Sequence, residues 1–187
     1  MQNNVANYRS IIAGEVAASG DPLEIRTVLG SCIAACLFDP EEAIGGMNHF
    51  MLPDEGADGL GSARYGTHAM ELLINQIMQL GGKRKNLRAK IFGGADVLSM
   101  AMTSVSIGQR NTEFIQRFLD LEGIPIVAHR LRGNNGLRVH FFTHTGKALV
   151  APLNEIAKHR IRVQEEKYRT KRVQTPPQPS EADITLF

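Results

Sequence analysis

The first third of the chain carries the polar–apolar pattern of strands. Ser10–Ala18 opens as a β-prone stretch, and Ser19-Gly20-Asp21-Pro22 marks a turn. Leu23–Leu29 alternates moderately until Gly30-Ser31 interrupts it. Ile33–Phe38 is a short continuous apolar run ending at Asp39-Pro40, the form expected of a buried strand. Ile44–Leu52 predicts another strand, closed by Pro53. Asp54–Gly66 is rich in Gly, Asp and Ser and predicts a loop; unstructured loops of this length are often functional.

The period then changes. Met70, Leu73, Ile74, Ile77 and Leu80 recur at the spacing of one buried helical stripe, and Gly81-Gly82 supplies the stop. Leu87–Phe92 predicts a strand running into Gly93-Gly94. Asn111 is a candidate N-cap for a helix reaching about Glu122, with Phe114, Ile115, Phe118 and Leu119 as its inner face and Gly123 ending it. Ile124–Leu131, Leu137–His144 and Ala148–Leu153, separated by turns, predict a meander of antiparallel strands. Many strands with about two main helices outside them imply a layered α/β domain rather than a doubly wound nucleotide fold.

Beyond this, the composition shifts. Asn154–Gln174 is heavily charged and predicts a helix face in solvent, with nucleic-acid binding the less favoured reading. Pro176-Pro177-Gln178-Pro179 predicts a stiff linker, and Asp183–Phe187 an apolar-acidic end suited either to docking on a partner or to packing back on the domain. The expected division is a domain over 1–153 and an appended segment over 154–187.

The 187 residues suffice for one domain with a real core plus a tail. A net charge of +2 gives no general argument for nucleic acid or a membrane surface. No apolar stretch is long enough to span a bilayer, and the N-terminal region lacks the pattern of a signal peptide. The expected setting is the cytoplasm. Cys32 and Cys36 would share one face of a strand, where a disulfide is geometrically awkward. Neither makes a zinc spacing or a C-x-x-C motif. Cys32 is expected as a free thiol and Cys36 as core.

Candidate chemistry centres on Thr27-Val28-Leu29-Gly30-Ser31-Cys32 and Gly45-Gly46-Met47-Asn48-His49-Phe50. A cysteine attacks carbonyl carbon as its thiolate, and an adjacent imidazole can take the thiol proton and later deliver it to a leaving group. Thr27 is the nearest side chain able to orient the imidazole. On spacing alone, a core cysteine and a satisfied histidine are the commoner meaning. Other candidates are weaker. His140 and His144 lack a third metal ligand, and Gly59-x-Gly61 lacks the strand that a dinucleotide fingerprint needs.

Leu29-Gly30-Ser31-Cys32, Asp39-Pro40, Gly45–Pro53, Gly93-Gly94-Ala95 and Ile107-Gly108-Gln109-Arg110-Asn111 together resemble, in order, the blocks of the chemoreceptor glutamine deamidase family CheD. The likeness runs from about Ile11 to about Val150. It implies a central pair of packed sheets flanked by helices. It also implies a catalytic set of Cys32, His49 and Thr27. Backbone N–H groups around Gly30–Cys32 are expected to stabilise the oxyanion, with Gly30, Ser31 and Asn48 as supporting rather than chemical residues. The implied activity is that of a protein-glutamine glutaminase, converting chemoreceptor glutamines to glutamate through a thioester with no metal or organic cofactor. The implied partners are methyl-accepting chemotaxis receptors and a CheC-type phosphatase. The alternatives are a non-catalytic module regulating such a phosphatase, and a cysteine amidohydrolase acting on another amide.

Overall fold

The computed structural model describes residues 7–52, 60–96 and 106–174. The Pro176–Pro179 linker and the Asp183–Phe187 end lie outside the described residues, as does the first part of the expected 54–66 loop.

Two sheets pack face to face. Strands β1 (Tyr8–Ser10), β3 (Glu24–Leu29), β8 (Leu137–Phe142) and β9 (Ala148–Pro152) form one, in the order β1-β3-β8-β9. Strands β2 (Val16–Ser19), β5 (Ile44–Phe50), β4 (Ile33–Asp39), β6 (Arg88–Gly93) and β7 (Ile126–Leu131) form the other, in the order β2-β5-β4-β6-β7. Both are mixed: β1 runs parallel to β3 and β6 parallel to β7, while the remaining pairs are antiparallel. Helices α1 (Leu60–Gln79) and α2 (Ile107–Leu121) cover the outer face of the second sheet. A third helix, α3, spans Glu155–Gln174.

The apolar pattern explains the layering. Every residue of β4 is buried, because its sheet is covered on both faces. Ile33, Ala35 and Leu37 pack toward the helices with Met70, Leu73, Ile74, Ile77, Ile115 and Leu119. Ala34, Cys36 and Phe38 face the other sheet, against Ile25, Leu29, Val139 and Phe141. In contrast β3 and β8 alternate, with Ile25, Thr27, Leu137 and Val139 turned inward, because only one side of their sheet is covered. At Gly46 an added Cβ would lie 2.7 Å from both the Ala17 carbonyl and Leu73, so α1 can lie this close only over a glycine.

Several expectations need correction. The Ser10–Ala18 stretch divides into β1 and β2, which join different sheets, with Gly14 at a φ of 91° between them. Residues 60–66 belong to α1, which begins earlier than the apolar stripe suggested. Helix α2 starts at Ile107 with Ser106 as its N-cap, its hydroxyl accepting from the Gln109 N–H; Asn111 is therefore an interior residue. The expected meander is broken, since β7 pairs in parallel with β6 in one sheet while β8 and β9 belong to the other. The chain crosses over at Arg132 and Gly133, both at positive φ, and the Arg132 N–H donates to the Gly93 carbonyl to fix the crossing. Finally, α3 is not wholly solvated: Ile161 and Glu165 are buried.

Candidate active site

The turn between β3 and β4 is held from behind by three donors. The Ala95 N–H donates to the Gly30 carbonyl at 2.9 Å, the Asn111 side-chain amide to the Ser31 carbonyl at 2.8 Å, and the Gly94 N–H to the Cys32 carbonyl at 2.8 Å. Glycine is required behind it, since a Cβ on Gly93 would lie 2.1 Å from the Cys32 carbonyl oxygen, and Gly93 has a φ of +112°. With the carbonyls tied back, the N–H groups of Gly30, Ser31 and Cys32 converge on the other side as an anion-binding nest.

Facing this turn is His49 on β5. It lies on the same inter-sheet face as Met47, two residues before it. Its backbone is fixed on both sides, the N–H donating to the Glu15 carbonyl and the carbonyl accepting from the Gly14 N–H. The ring meets Thr27 from the opposite sheet, with Oγ1 and Nδ1 2.8 Å apart. The Thr27 hydroxyl also donates to the Ile11 carbonyl at 2.8 Å. A hydroxyl has one proton, so Thr27 must accept from Nδ1–H. That network assigns the neutral Nδ1–H tautomer and leaves a lone pair on Nε2, which is buried and has no hydrogen-bond partner among the described residues. A buried nitrogen left unpaired in this way has a lone pair able to accept a proton.

The nest is filled by a side chain from α3. Glu165 Oε1 accepts from the Gly30 N–H at 2.9 Å and the Cys32 N–H at 3.2 Å. Oε2 accepts from the Ser31 N–H at 3.0 Å and the Ser31 hydroxyl at 2.7 Å. Glu165, Cys32 and His49 are all buried, and the charge of the carboxylate acts on both of the others. Burial pushes the Cys32 thiol well above its ordinary value, and the negative charge and hydrogen bonding of Glu165 push it further. Burial lowers His49 from 6.5 to about 4, against a smaller opposing effect of Glu165. Both shifts favour the neutral forms, a thiol at Cys32 and an imidazole at His49. A cleft lined by Ile12, Ala13, Val28, His49, Ile161, Gln164, Glu165, Lys167 and Tyr168 lies over His49 and Glu165.

Thr27, Gly30, Ser31, Cys32 and His49, all singled out in the sequence, come together here. Asn48 does not. It lies on the opposite face of β5, where its amide donates to the Ala69 carbonyl at 2.9 Å and its oxygen accepts from the Ala35 N–H, tying β4 to α1. Asn111 and Glu165 were missed. Asn111 lay within a family block but was read as a cap, and Glu165 lies 133 residues beyond Cys32 in a charged run with no local signal. Cys36 is buried in the inter-sheet core, as expected. His140 pairs with Glu24, whose carboxyl is held down to about 2, chiefly by its bond to Arg26. Among the described residues no group of three or more His, Cys, Asp and Glu side chains is placed to hold a metal ion. No helix among them is long and apolar enough to cross a membrane.

Comparison with known proteins gives a consistent picture. The family described as CheD chemotactic sensory transduction matches residues 51–152. The chain is 42% identical over 199 aligned residues to a probable chemoreceptor glutamine deamidase CheD of Burkholderia orbicola, covering 95% of this chain and 80% of that one. It is 49% identical over 147 residues to a probable chemoreceptor glutamine deamidase of Burkholderia thailandensis, covering 76% of this chain and 62% of that one.

Proposed function

This chain belongs to the CheD family, and we propose that it is a chemoreceptor glutamine deamidase using Cys32 and His49 as its thiol–imidazole pair, with Thr27 as the residue that positions the ring. The observation that carries the mechanism is the hydrogen bond between His49 Nδ1–H and Thr27, which leaves Nε2 as the base.

In the proposed reaction a glutamine carboxamide enters with its oxygen on the N–H groups of Gly30, Ser31 and Cys32. His49 Nε2 takes the Cys32 proton as Sγ bonds to the carboxamide carbon. The resulting oxyanion rests on the nest, where each well-placed donor contributes about a hundredfold or more in rate. The imidazolium returns its proton to the departing nitrogen, and ammonia leaves. Water, activated by the same imidazole, then hydrolyses the thioester to glutamate and restores the thiol. The cycle consumes water alone.

The catalytic unit in this reading spans 1–153, with 154–187 appended, and the enzyme works in the cytoplasm on the cytoplasmic part of methyl-accepting chemotaxis receptors. A CheC-type phosphatase is the second proposed partner, on the strength of the family resemblance. The test is mass spectrometry of a receptor cytoplasmic fragment incubated with the full chain. Specific glutamines should become glutamate, with ammonia released and the backbone intact, and Cys32→Ala or His49→Ala should abolish the conversion. Cleavage of the fragment, or conversion that persists without Cys32, would defeat the reading.

A further inference from the structure

We propose that α3 is a built-in product mimic that keeps the active site closed, with Glu165 in the place of the glutamate the enzyme makes. The inference rests on the deamidase reading and extends it to how the site is occupied and opened.

Glu165 is chemically the product side chain, and its two oxygens take every donor the Gly30–Cys32 turn offers, Ser31 hydroxyl included. A substrate carboxamide needs the same donors, so it and Glu165 exclude each other. Cys32 is fully buried in this arrangement, so a protein substrate cannot reach the thiol until α3 withdraws.

The helix is attached lightly enough to do so. Ile161 and Glu165 are its buried side chains among those described, with Tyr168 half-buried and its hydroxyl 2.9 Å from that of Tyr65. Positions four before and three after Glu165 complete one helical face. Arg160, Arg162, Val163, Gln164, Glu166 and Lys167 are exposed. A helix seated by few of its described side chains can open locally well below the free energy of global unfolding. The same face describes the displacing ligand: a receptor helix presenting glutamine, with an apolar residue one turn before it.

Three variants of the full-length chain test this, with iodoacetamide labelling of Cys32 and receptor deamidation as readouts. Glu165→Ala should speed labelling by about tenfold or more, the change that about 1.4 kcal/mol of lost holding energy produces, and should speed receptor deamidation as well. Ile161→Ala keeps the carboxylate but loosens the helix, and should also speed labelling. Glu165→Gln is isosteric and converts the plug into a substrate. Cys32 Sγ should attack its carboxamide carbon, ammonia should leave with the proton from His49, and water should cleave the thioester. The variant would then gain about one dalton at position 165, whereas the double variant with Cys32→Ala would not.

Unchanged labelling in both Glu165→Ala and Ile161→Ala overturns the closed state. Faster labelling in Glu165→Ala alone overturns it too, because only the charge on the thiol would then matter. Persistence of the carboxamide in folded Glu165→Gln overturns the product mimicry. Labelling requires no receptor, so faster labelling without receptor conversion would sink the deamidase reading and leave the closing role intact.

Discussion

Cys32 and Cys36 stand four residues apart, both wholly buried in the core between the sheets, and burial raises both thiols. Their surroundings differ in what the backbone leaves unpaired. Cys36 lies within β4, where its neighbours on β5 and β6 occupy the ladder on both sides. Cys32 lies one residue before the strand, where Ala95, Asn111 and Gly94 take the carbonyls and leave the N–H groups to a carboxylate. Burial is therefore no measure of a cysteine's role. In the proposed deamidase the attacking thiol differs from Cys36 in the donors aimed past it and in an imidazole whose Nε2 has no hydrogen-bond partner among the described residues.

The strongest way to break this comparison is to exchange the fates of the two thiols. Cys32→Ala should lower deamidation by about 10⁴-fold or more, as should His49→Ala, and the double variant should be no worse, because the two act as one unit. Cys36→Ala should retain activity within severalfold. Loss of activity on replacing Cys36 alone, in a folded protein, would reverse the assignment.

Thr27→Val tests the tautomer. It keeps the volume but removes the acceptor for Nδ1–H, and should cost roughly a hundredfold in kcat, within the range that a positioned base contributes. An unaffected rate would place the positioning role elsewhere. A smaller effect is expected at Asn111, whose amide ties the Leu52 N–H and the Ser31 carbonyl. Asn111→Ala should lower stability by about 1–3 kcal/mol through the buried groups it strands, measurable by urea unfolding, and should weaken the nest.

The His49 environment also predicts how stability follows pH. Its folded value of about 4 lies below the ordinary 6.5, so the neutral ring's contribution is complete above about pH 6.5 and is lost as pH falls toward 4. Urea unfolding across that window should show falling stability, with a flatter profile in His49→Gln. Glu24, lowered from 4.5 to about 2, gives up its contribution only at lower pH. The smallest effect is the stability cost of Cys36→Ala, about 1 kcal/mol for the small void left in a packed core.

Much of this was legible locally. The continuous apolar run of β4, the alternation of β3 and the stripe of α1 each reflect a period that burial imposes on its own segment. Cys32, His49 and Thr27 were candidates by residue type, but residue type and spacing alone favoured a core cysteine and a satisfied histidine; the ordered blocks resembling the CheD family are what singled them out. The start of α2 was not legible, because Asn is a good cap by composition and only the fold turns the Asn111 amide to the Ser31 carbonyl instead.

The sequence by itself thus determined most strand and helix segments and the layered class, since each depends on residue type and short-range spacing, while the proposed thiol–imidazole pair rested on the ordered blocks that resemble a family. Tertiary structure alone decided which sheet took β7, which face of β5 carried Asn48, and that a glutamate from α3 would fill the nest at Gly30–Cys32. Those outcomes depend on where distant backbone groups are left unpaired, which no local pattern in the chain records.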